Sequence, residues 1–343
     1  MRYAVGYRLP SRDRESIVDI VRDYREYIHE VYFAWVGAPS GRAAGGVQRG
    51  AVDWTAQQTL ERELLTLREM GIPLDLLFNS NCYGGRAVSE HLQNEVGSLL
   101  EYLHMRGLAP QTVTTTSLTV ARTVQRYFPD IDVRASVNMR IGSPEAFGYV
   151  EGLFDSLYLC RDVQRNLEAV RAMKRYCDGK EKGLYLLANS GCLYQCPGQT
   201  FHDNMVAHDA EIDETKNIPG WTPHVCWHLY KREENRDAVL RATWIRPEDV
   251  HNYEGLVPVM KLATRLHDRP RTVVAAYARQ RYEGNLLDLF EPGHGTAFAP
   301  TVIDNTLFPG DWFEKTSTCP RNCPECDYCS KVFEKVAVRT EES

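Results

Sequence analysis

A regular alternation of short β-type runs with amphipathic helices constrains the fold of this chain more than any other feature. Apolar residues recur at helical spacing from Ile17 to Ile28, between two β-type runs. The same alternation continues through the first 190 residues. It predicts strands at residues 3–7, 31–36, 74–78, 113–116, 133–137, 157–160 and 184–188. Two later runs, 244–245 and 259–262, are further candidates, and at least one of them should close the sheet.

Seven or eight strand–helix units in about 265 residues favour a closed (β/α) barrel over an open doubly wound sheet. The first strand also lacks the GxGxxG turn that would indicate nucleotide binding by an open sheet. Catalytic groups of such barrels gather at the carboxyl ends of the strands. Cys82, Cys160 and Cys192 fall at or just after strand ends. We therefore predict the α/β class, with a TIM-like (β/α) barrel over residues 1–270.

Two segments depart from this alternation. Residues 189–240 form a cysteine-rich insertion after strand seven. Beyond residue 270 the periodicity is lost and Gly and Pro recur, which predicts an irregular C-terminal appendage over residues 271–343. No stretch has the apolar length that a membrane span needs, and Met1 to Leu9 does not have the composition of a signal peptide. We expect a cytoplasmic protein without a membrane span.

The composition is that of an ordinary globular protein, with 43% hydrophobic and 25% charged residues. A net charge of −6 provides no general attraction to nucleic acid, so nucleic acid is not an expected partner. A chain of 343 residues also buries a large core without disulfide bonds. We therefore interpret the groups among its ten cysteines as metal ligands rather than as crosslinks.

Three cysteines of the insertion, Cys192, Cys196 and Cys226, form the first group and are called the insertion cysteines. The CxxxC spacing of the first two can present two thiolates to one metal centre, and Cys226 can return as a third ligand. A four-iron four-sulfur cluster usually takes four cysteines, one for each iron. The fourth is Cys82 or, as the alternative, Cys160. The competing interpretation is that these single cysteines are buried apolar residues.

Four cysteines near the end of the chain form the second group, the C-terminal cysteines: Cys319, Cys323, Cys326 and Cys329. Their CxxxCxxCxxC spacing places four soft ligands in one compact loop. Structural zinc and a second iron–sulfur cluster both fit this spacing. The sequence therefore predicts a metal site here and leaves the choice of metal open.

Other polar residues are candidates for the chemistry. His202 can act as a general acid or base, because imidazole titrates near neutrality, although HDNMVAHD also fits a solvated helix start. Arg161 and Arg246 follow strand candidates and can clamp a carboxylate through the guanidinium fork. Glu248 is either a catalytic carboxylate or a residue that favours the first turn of a helix. Lys261 is predicted to lie inside the barrel and to pair with Glu248, with a surface lysine as the alternative.

Two segments of the chain resemble a known family. GCLYQCPGQTFHD follows a strand, and TWIRPEDVHNYEGLVPVMKLATR comes later in the chain. Together they resemble peptidase family U32, the collagenase-like proteins, over about residues 1–270. Residues 245–265 are similar to the strand-eight element of that family, and residues 157–166 to its strand-six element. The chain departs from the family pattern in LLANSGC, where a Glu is expected, and in the shorter spacing of CLYQC.

The resemblance implies a four-iron four-sulfur cluster held by cysteines near strand seven. The insertion cysteines match that region, and Arg161, Arg246, Glu248 and Lys261 match the strand-six and strand-eight elements. It further implies hydroxylation without molecular oxygen, with prephenate as the oxygen donor, and a homologous partner subunit for some members.

From the residues and this resemblance we predict an iron–sulfur enzyme that performs oxygen-independent hydroxylation or a related redox conversion. Its substrate would be a small molecule or a protein-borne group. The alternatives are a zinc- or cluster-stabilised accessory or binding subunit of a heterodimer, and a peptidase. The GxSxG elbow of serine hydrolases and the HExxH motif of metalloproteases are both missing, so the peptidase alternative has no sequence motif behind it.

Overall fold

The computed structural model describes residues 1–11, 14–36, 40 and 53–340. Residues 341–343 of the predicted appendage lie outside them. Eight parallel strands close into a barrel in the order of the sequence. They are β1 (Arg2–Gly6), β2 (Ile28–Phe33), β3 (Leu74–Phe78), β4 (Thr112–Thr115), β5 (Asp132–Ala135), β6 (Ser156–Tyr158), β7 (Gly183–Leu187) and β8 (Val259–Leu262).

The barrel closes where β8 pairs with β1 on one side and with β7 on the other. The predicted TIM-like (β/α) barrel is therefore confirmed. Of the two late strand candidates, the run 259–262 is the closing strand. Residues 244–245 do not form a strand. One backbone hydrogen bond, from the N–H of Ile245 to the carbonyl oxygen of Ala188 (2.8 Å), joins them to the segment that follows β7.

Helices follow the first six strands on the outside of the barrel. They are α1 (Ile17–Asp23), α2 (Trp54–Glu69), α3 (Glu90–Met105), α4 (Leu118–Tyr127), α5 (Pro144–Gly148) and α6 (Leu167–Gly179). In α3, Leu92, Val96, Leu100 and Leu103 share the buried face, as helical spacing requires. Ser89 caps this helix, since its hydroxyl accepts a hydrogen bond from the N–H of Leu92 (3.1 Å). None of the described helices has the length and apolar character that crossing a bilayer requires.

The predicted insertion leaves the barrel after β7 and contains short helices. They are α7 (Gln199–Ala207), α8 (Asp209–Asp213), α9 (Val225–Tyr230) and α10 (Ala238–Arg241). The chain then returns toward the start of β8 through a 3₁₀ helix, Pro247–Tyr253. The insertion therefore carries all three insertion cysteines on segments that begin at the carboxyl end of β7.

The C-terminal segment holds more regular structure than its sequence indicates. Its elements are α11 (Pro270–Arg279), α12 (Gly295–Phe298), β9 (Thr301–Ile303), α13 (Trp312–Ser317), α14 (Tyr328–Val336) and β10 (Ala337–Arg339). Helix α11 packs against the barrel, where the Tyr3 hydroxyl donates to the carbonyl of Tyr277 (2.7 Å). Strands β9 and β10 pair antiparallel, and Trp312 of α13 stacks on Trp244 (5.8 Å between ring centroids). Most of these elements are too short for their periodicity to be visible in the sequence.

Candidate functional site at the carboxyl ends of the strands

The three insertion cysteines line one small cavity, with a volume of about 80 Å³. Asn138 and Arg161, which follow β5 and β6, line it too, so the cavity lies at the carboxyl ends of these strands. His202 contributes from α7, and Pro292 contributes from the C-terminal segment. The structure thus brings together three cysteines, an arginine and a histidine that the sequence singled out.

Two glycines let the segments around this cavity approach each other. A Cβ atom on Gly198 would lie 2.7 Å from Cγ2 of Val225, so the starts of α7 and α9 are too close for a side chain there. A Cβ atom on Gly191 would lie 2.2 Å from the carbonyl oxygen of Pro292. The first contact brings the CxxxC loop toward α9, and the second holds that loop against the C-terminal segment.

Burial opposes the ionisation of two of the three thiols. It raises the pKa of Cys226 to about 11 and also raises the pKa of Cys196, and the nearby Cys192 acts in the same direction. Both thiols therefore carry protons at neutral pH when no metal is bound. Because metals bind the thiolate, a metal centre here must displace these protons, and its affinity must rise with pH.

Arg161 supplies positive charge to the cavity. Its Nη1 donates a hydrogen bond to Sγ of Cys192 at 3.5 Å. With the Gln199 amide oxygen turned toward the guanidinium, Nε donates to that oxygen at 3.2 Å. Burial opposes the charge on Arg161, but Cys192 and the Asp203 carboxylate raise its pKa overall. This permanent cation can offset the negative charge that metal-bound thiolates carry.

His202 lies on α7, and the residue after it, Asp203, contacts the segment that follows β3. The rings of His202 and His224 meet edge to face, with 4.8 Å between their centroids. Asn81, which follows β3, donates from Nδ2 to Oδ2 of Asp203 at 3.2 Å. His202 is partly exposed as well as lining the cavity. This position is compatible with proton transfer, and its role as a general acid or base stays a prediction.

Among the described residues, no three His, Cys, Asp or Glu side chains lie close enough together to bind one metal ion. The three insertion thiols line one cavity. A zinc site needs its ligands at about 2.0–2.3 Å from a single ion. In an iron–sulfur cluster each cysteine binds a different iron, so the ligands are further apart. Which of these groups the cavity would hold stays a prediction.

Neither candidate for the fourth ligand lines the cavity in the part of the chain that the structure describes. Cys82 follows β3 and lies beside His208, and the Gly84 N–H donates to its Sγ (3.4 Å). His208 and this N–H lower the pKa of the Cys82 thiol. Cys160 is buried beyond β6, and burial raises its pKa. The identity of a fourth ligand stays a prediction.

Arg246 and Glu248 lie away from the cavity. Nη2 of Arg246 is 3.3 Å from Oε2 of Glu248, and its guanidinium packs over the Phe308 ring at 4.5 Å. Oε1 of Glu248 accepts hydrogen bonds from Nδ2 of Asn305 (2.8 Å) and from the Tyr282 N–H (2.7 Å). Both residues therefore fasten the C-terminal segment to the barrel, and the structure does not bring them to the insertion cysteines.

Lys261 is buried inside the barrel as predicted, but its predicted pairing with Glu248 is wrong. Its Nζ lies 3.7 Å from the centroid of the Tyr32 ring and 5.0 Å from that of Tyr158. Glu248 precedes β8 in the 3₁₀ helix that carries the chain back to it, and contacts the C-terminal segment instead. Burial lowers the pKa of Lys261 to about 8, with the Asp75 carboxylate acting in the opposite direction.

The neighbours of Lys261 are charged residues that the sequence analysis did not select. Nη2 of Arg134 donates to Oε2 of Glu30 at 3.1 Å, and Nη1 lies 3.5 Å from Oδ2 of Asp75. All three are almost completely buried, and burial raises the pKa of Asp75 to about 6. A charge inside a short apolar strand, as in IHEVYF, LDLLF and DVRA, was the signal that could have found them.

The C-terminal cysteines lie in the loop between α13 and α14 and at its end. Cys319 follows α13, Cys323 begins a 3₁₀ turn, and Cys329 lies in the first turn of α14. Cys326 is exposed, and the other three are partly buried. All ten cysteines of the chain are free thiols in the structure.

No protein-family model matches this chain. The uncharacterized protease MJ1657 of Methanocaldococcus jannaschii is 22% identical to it over 286 residues, which cover 81% of this chain and 81% of that protein. Among solved structures, the U32 peptidase Mk0906 superposes with a TM-score of 0.54 and 17% identity, covering 76% of this chain and 92% of that chain. At this identity, the second match shows a shared fold.

Proposed function

These matches support membership of peptidase family U32, and on that premise we propose that the chain is an iron–sulfur enzyme. In this proposal the insertion cysteines hold a four-iron four-sulfur cluster at the carboxyl ends of the strands. The reaction is an oxygen-independent hydroxylation or a related redox conversion of a small molecule or a protein-borne group. The observation that carries the proposal is the meeting of Cys192, Cys196 and Cys226 at one cavity, beside Arg161.

The residues of the cavity fit such a cluster. Three thiols from two separate segments surround it, and soft thiolate ligands select iron–sulfur clusters or zinc. Arg161 donates a hydrogen bond to one of these sulfurs, a kind of contact that tunes the reduction potential of a cluster. A fourth protein ligand would come from Cys82 or Cys160. When bound, the group would supply one-electron redox chemistry and, at any iron without a cysteine, a position for an exogenous ligand.

In this proposal the body of the substrate binds beside the cavity, and only its reacting group enters it. A volume of about 80 Å³ is well below the roughly 300–1,000 Å³ of typical ligand pockets. A larger groove of about 630 Å³ shares one lining residue, Pro292, with the cavity. His267, Arg269 and Asp288 also line this groove and offer charge and hydrogen bonds to a polar substrate. In this proposal the reacting atom of the substrate faces the cavity past Pro292.

His202 and Arg161 have separate roles in the proposal. His202 holds or releases the proton that a hydroxylation must move, because an imidazole changes charge near neutral pH. Arg161 stays charged throughout the physiological range, so it orients and compensates negative charge without exchanging a proton. Both side chains line the cavity and so can contact a substrate group that enters it.

The metal content of protein purified without oxygen tests the proposal. Iron and acid-labile sulfide are counted per chain in the wild type, in Cys192→Ala and in Cys177→Ala. Cys177 is a fully buried residue of α6, so its variant controls for the loss of a thiol as such. We expect about four iron and about four sulfide atoms to be lost in Cys192→Ala alone. Zinc without iron or sulfide in the wild type would contradict the proposal.

A second function, the hydrolysis of peptides, is favoured by one specific arrangement. Cys82 lies beside His208, and Nδ1 of His208 is 3.2 Å from Oε2 of Glu211. A thiol, an imidazole and a carboxylate in this order are the nucleophile, base and orienting group of cysteine hydrolases. His208 lowers the pKa of Cys82, and Cys82 raises the pKa of His208. The two relatives are named a protease and a peptidase, which agrees with the hydrolysis of peptides.

The two functions compete for one thiol if Cys82 is the fourth cluster ligand, because a metal-bound sulfur cannot act as the nucleophile. Metal-free wild type is assayed for turnover of a peptide substrate, together with Cys82→Ala and the control Cys177→Ala. Turnover that is lost only in Cys82→Ala supports the hydrolase. Equal turnover in the wild type and Cys82→Ala, or no turnover in either, contradicts it.

A further inference from the structure

The proposed function uses the insertion cysteines and leaves the C-terminal cysteines without a role. These four thiols lie within eleven residues, separated by two or three residues at each step. Successive short spacings of this kind are typical of cluster-binding loops. A structural zinc site more often joins two cysteine pairs across a longer stretch of chain. The spacing is therefore compatible with a cluster as well as with a zinc ion.

Two backbone hydrogen bonds order this loop. The Arg321 N–H donates to Sγ of Cys319 at 3.4 Å. The Cys326 N–H donates to the carbonyl of Cys323 at 3.3 Å, which closes a 3₁₀ turn between these two cysteines. Cys329 lies in the first turn of α14, a nine-residue helix whose amino end favours negative charge. N–H groups directed at sulfur and a helix amino end both stabilise thiolates.

Three arginines lie near the loop. Arg321 belongs to it. Burial raises the pKa of the Cys329 thiol overall to about 11, although Arg165 and Arg241 are close enough to lower it. Nη1 of Arg321 donates to the carbonyl of Arg241 at 2.6 Å and so ties the loop to α10. Four thiolates on a metal centre carry a net negative charge, and these cations would offset it.

Arg321 also connects the two cysteine groups. Its guanidinium lies over the ring of Tyr194, 4.4 Å from the centroid. Tyr194 is the middle residue of the CLYQC loop in the first group, and Arg321 is the middle residue of the CPRNC loop in the second. Each contact residue is two positions from the cysteines on either side of it. The two groups are therefore neighbours in space.

We propose that Cys319, Cys323, Cys326 and Cys329 bind a second four-iron four-sulfur cluster, with Arg321 as a positioning residue between it and the first. In this proposal each of the four cysteines binds one iron, so this cluster takes no substrate. The second cluster would pass one electron at a time to the first. An external one-electron donor protein would then reduce the second cluster again. Binding at the loop is independent of the proposed function, whereas the connection to the first site rests on it.

Metal content tests the second site. Iron, zinc and acid-labile sulfide are counted after oxygen-free purification and reconstitution of the wild type, Cys326→Ser and Cys192→Ser. Cys326 is exposed, so its serine variant disturbs no buried packing. We expect about eight iron atoms per chain in the wild type and about four in either variant. About one zinc atom per chain at the loop, or equal iron in Cys326→Ser and the wild type, overturns the second cluster.

The same counts separate this inference from the proposed function. If Cys192→Ser loses iron and Cys326→Ser does not, the first cluster stands and the second is overturned. If only Cys326→Ser loses iron, the second cluster stands and the first is overturned. Iron-free wild type contradicts both.

The reduction potential of the first cluster tests the role of Arg321. Arg321→Met should lower this potential, because a nearby cation stabilises the reduced and more negative cluster. Arg321→Lys keeps the charge and should recover part of the shift. Arg175→Met, which removes an exposed cation of α6, is the control and should leave the potential unchanged. Equal potentials in the wild type and Arg321→Met overturn the positioning role.

Discussion

The barrel interior and the cysteine cavity are both polar spaces inside this fold, and they differ in what completes them. In the interior, Arg134 donates to Glu30, to Oγ of Ser156 (3.2 Å) and to the hydroxyl of Tyr158 (3.2 Å). Its guanidinium also lies over the Tyr185 ring at 4.1 Å. The protein itself therefore supplies the partners of this buried charge.

The cysteine cavity is arranged differently. It gathers three thiols around a space, and burial keeps at least Cys196 and Cys226 protonated near neutral pH. Thiols become strong ligands only when a metal replaces their protons. The two regions therefore differ: the ion-pair network has charged partners that the protein itself supplies, whereas for the thiols of the cavity the charged partner is Arg161, which contacts Cys192.

Breaking the interior network should have the largest effect on stability. Glu30→Gln leaves the buried Arg134 without its main carboxylate partner, and breaking a buried pair from one side costs about 3–5 kcal/mol. The control Glu15→Gln removes one partner of the exposed pair with Arg271, where we expect a loss of about 1 kcal/mol or less. Urea unfolding of the metal-free proteins measures both. Equal losses in the two variants would show that the interior pair is no different from a surface pair.

Lys261 should make stability depend on alkaline pH. Its folded pKa of about 8 lies below the unfolded value of about 10.4, so protonation opposes folding below pH 8. This penalty is relieved as pH rises between the two values. From about pH 7.5 to about pH 9.5 the wild type should gain roughly 1–2 kcal/mol of unfolding free energy relative to Lys261→Met. Parallel pH dependence in the two proteins would argue against a depressed pKa.

Alkylation of the metal-free protein compares a thiol inside the cavity with one outside it. Cys82 has a lowered pKa because of His208, whereas burial raises that of Cys226 to about 11. Since the thiolate reacts, iodoacetamide at neutral pH should label Cys82 at least about tenfold faster than Cys226. His208→Gln should slow labelling of Cys82 and leave Cys226 unchanged. Peptide mass spectrometry measures both labelling rates. Equal rates at Cys82 and Cys226 would contradict the predicted difference between the pKa values of their thiols.

The barrel could be predicted because most of its strand–helix units are long enough for their periodicity to stand out. The neighbourhood of the insertion cysteines followed from one rule, that the carboxyl ends of parallel strands meet at the same face. Cys192 lies five residues after the end of β7, and Arg161 lies three residues after the end of β6, so both were expected there. Cys226 reaches the cavity because α9 packs against the start of α7. No spacing in the sequence specifies this packing.

The errors have a common physical cause. Lys261 and Glu248 are close in sequence, but one is in a strand and faces the barrel interior, while the other is in a 3₁₀ helix and contacts the C-terminal segment. Arg246 was expected at a strand end, yet residues 244–245 form no strand and its guanidinium packs over Phe308. In each case the partner was set by long-range packing, which short motifs do not encode.

Iron-edge X-ray absorption of the Cys326→Ser variant, purified without oxygen, tests the central claim most directly, because it reports on iron at the insertion cysteines without the second site. We predict a first shell of sulfur atoms together with scattering from neighbouring iron atoms, as a cluster requires. A shell of nitrogen and oxygen atoms without iron neighbours would contradict the claim that Cys192, Cys196 and Cys226 hold an iron–sulfur cluster.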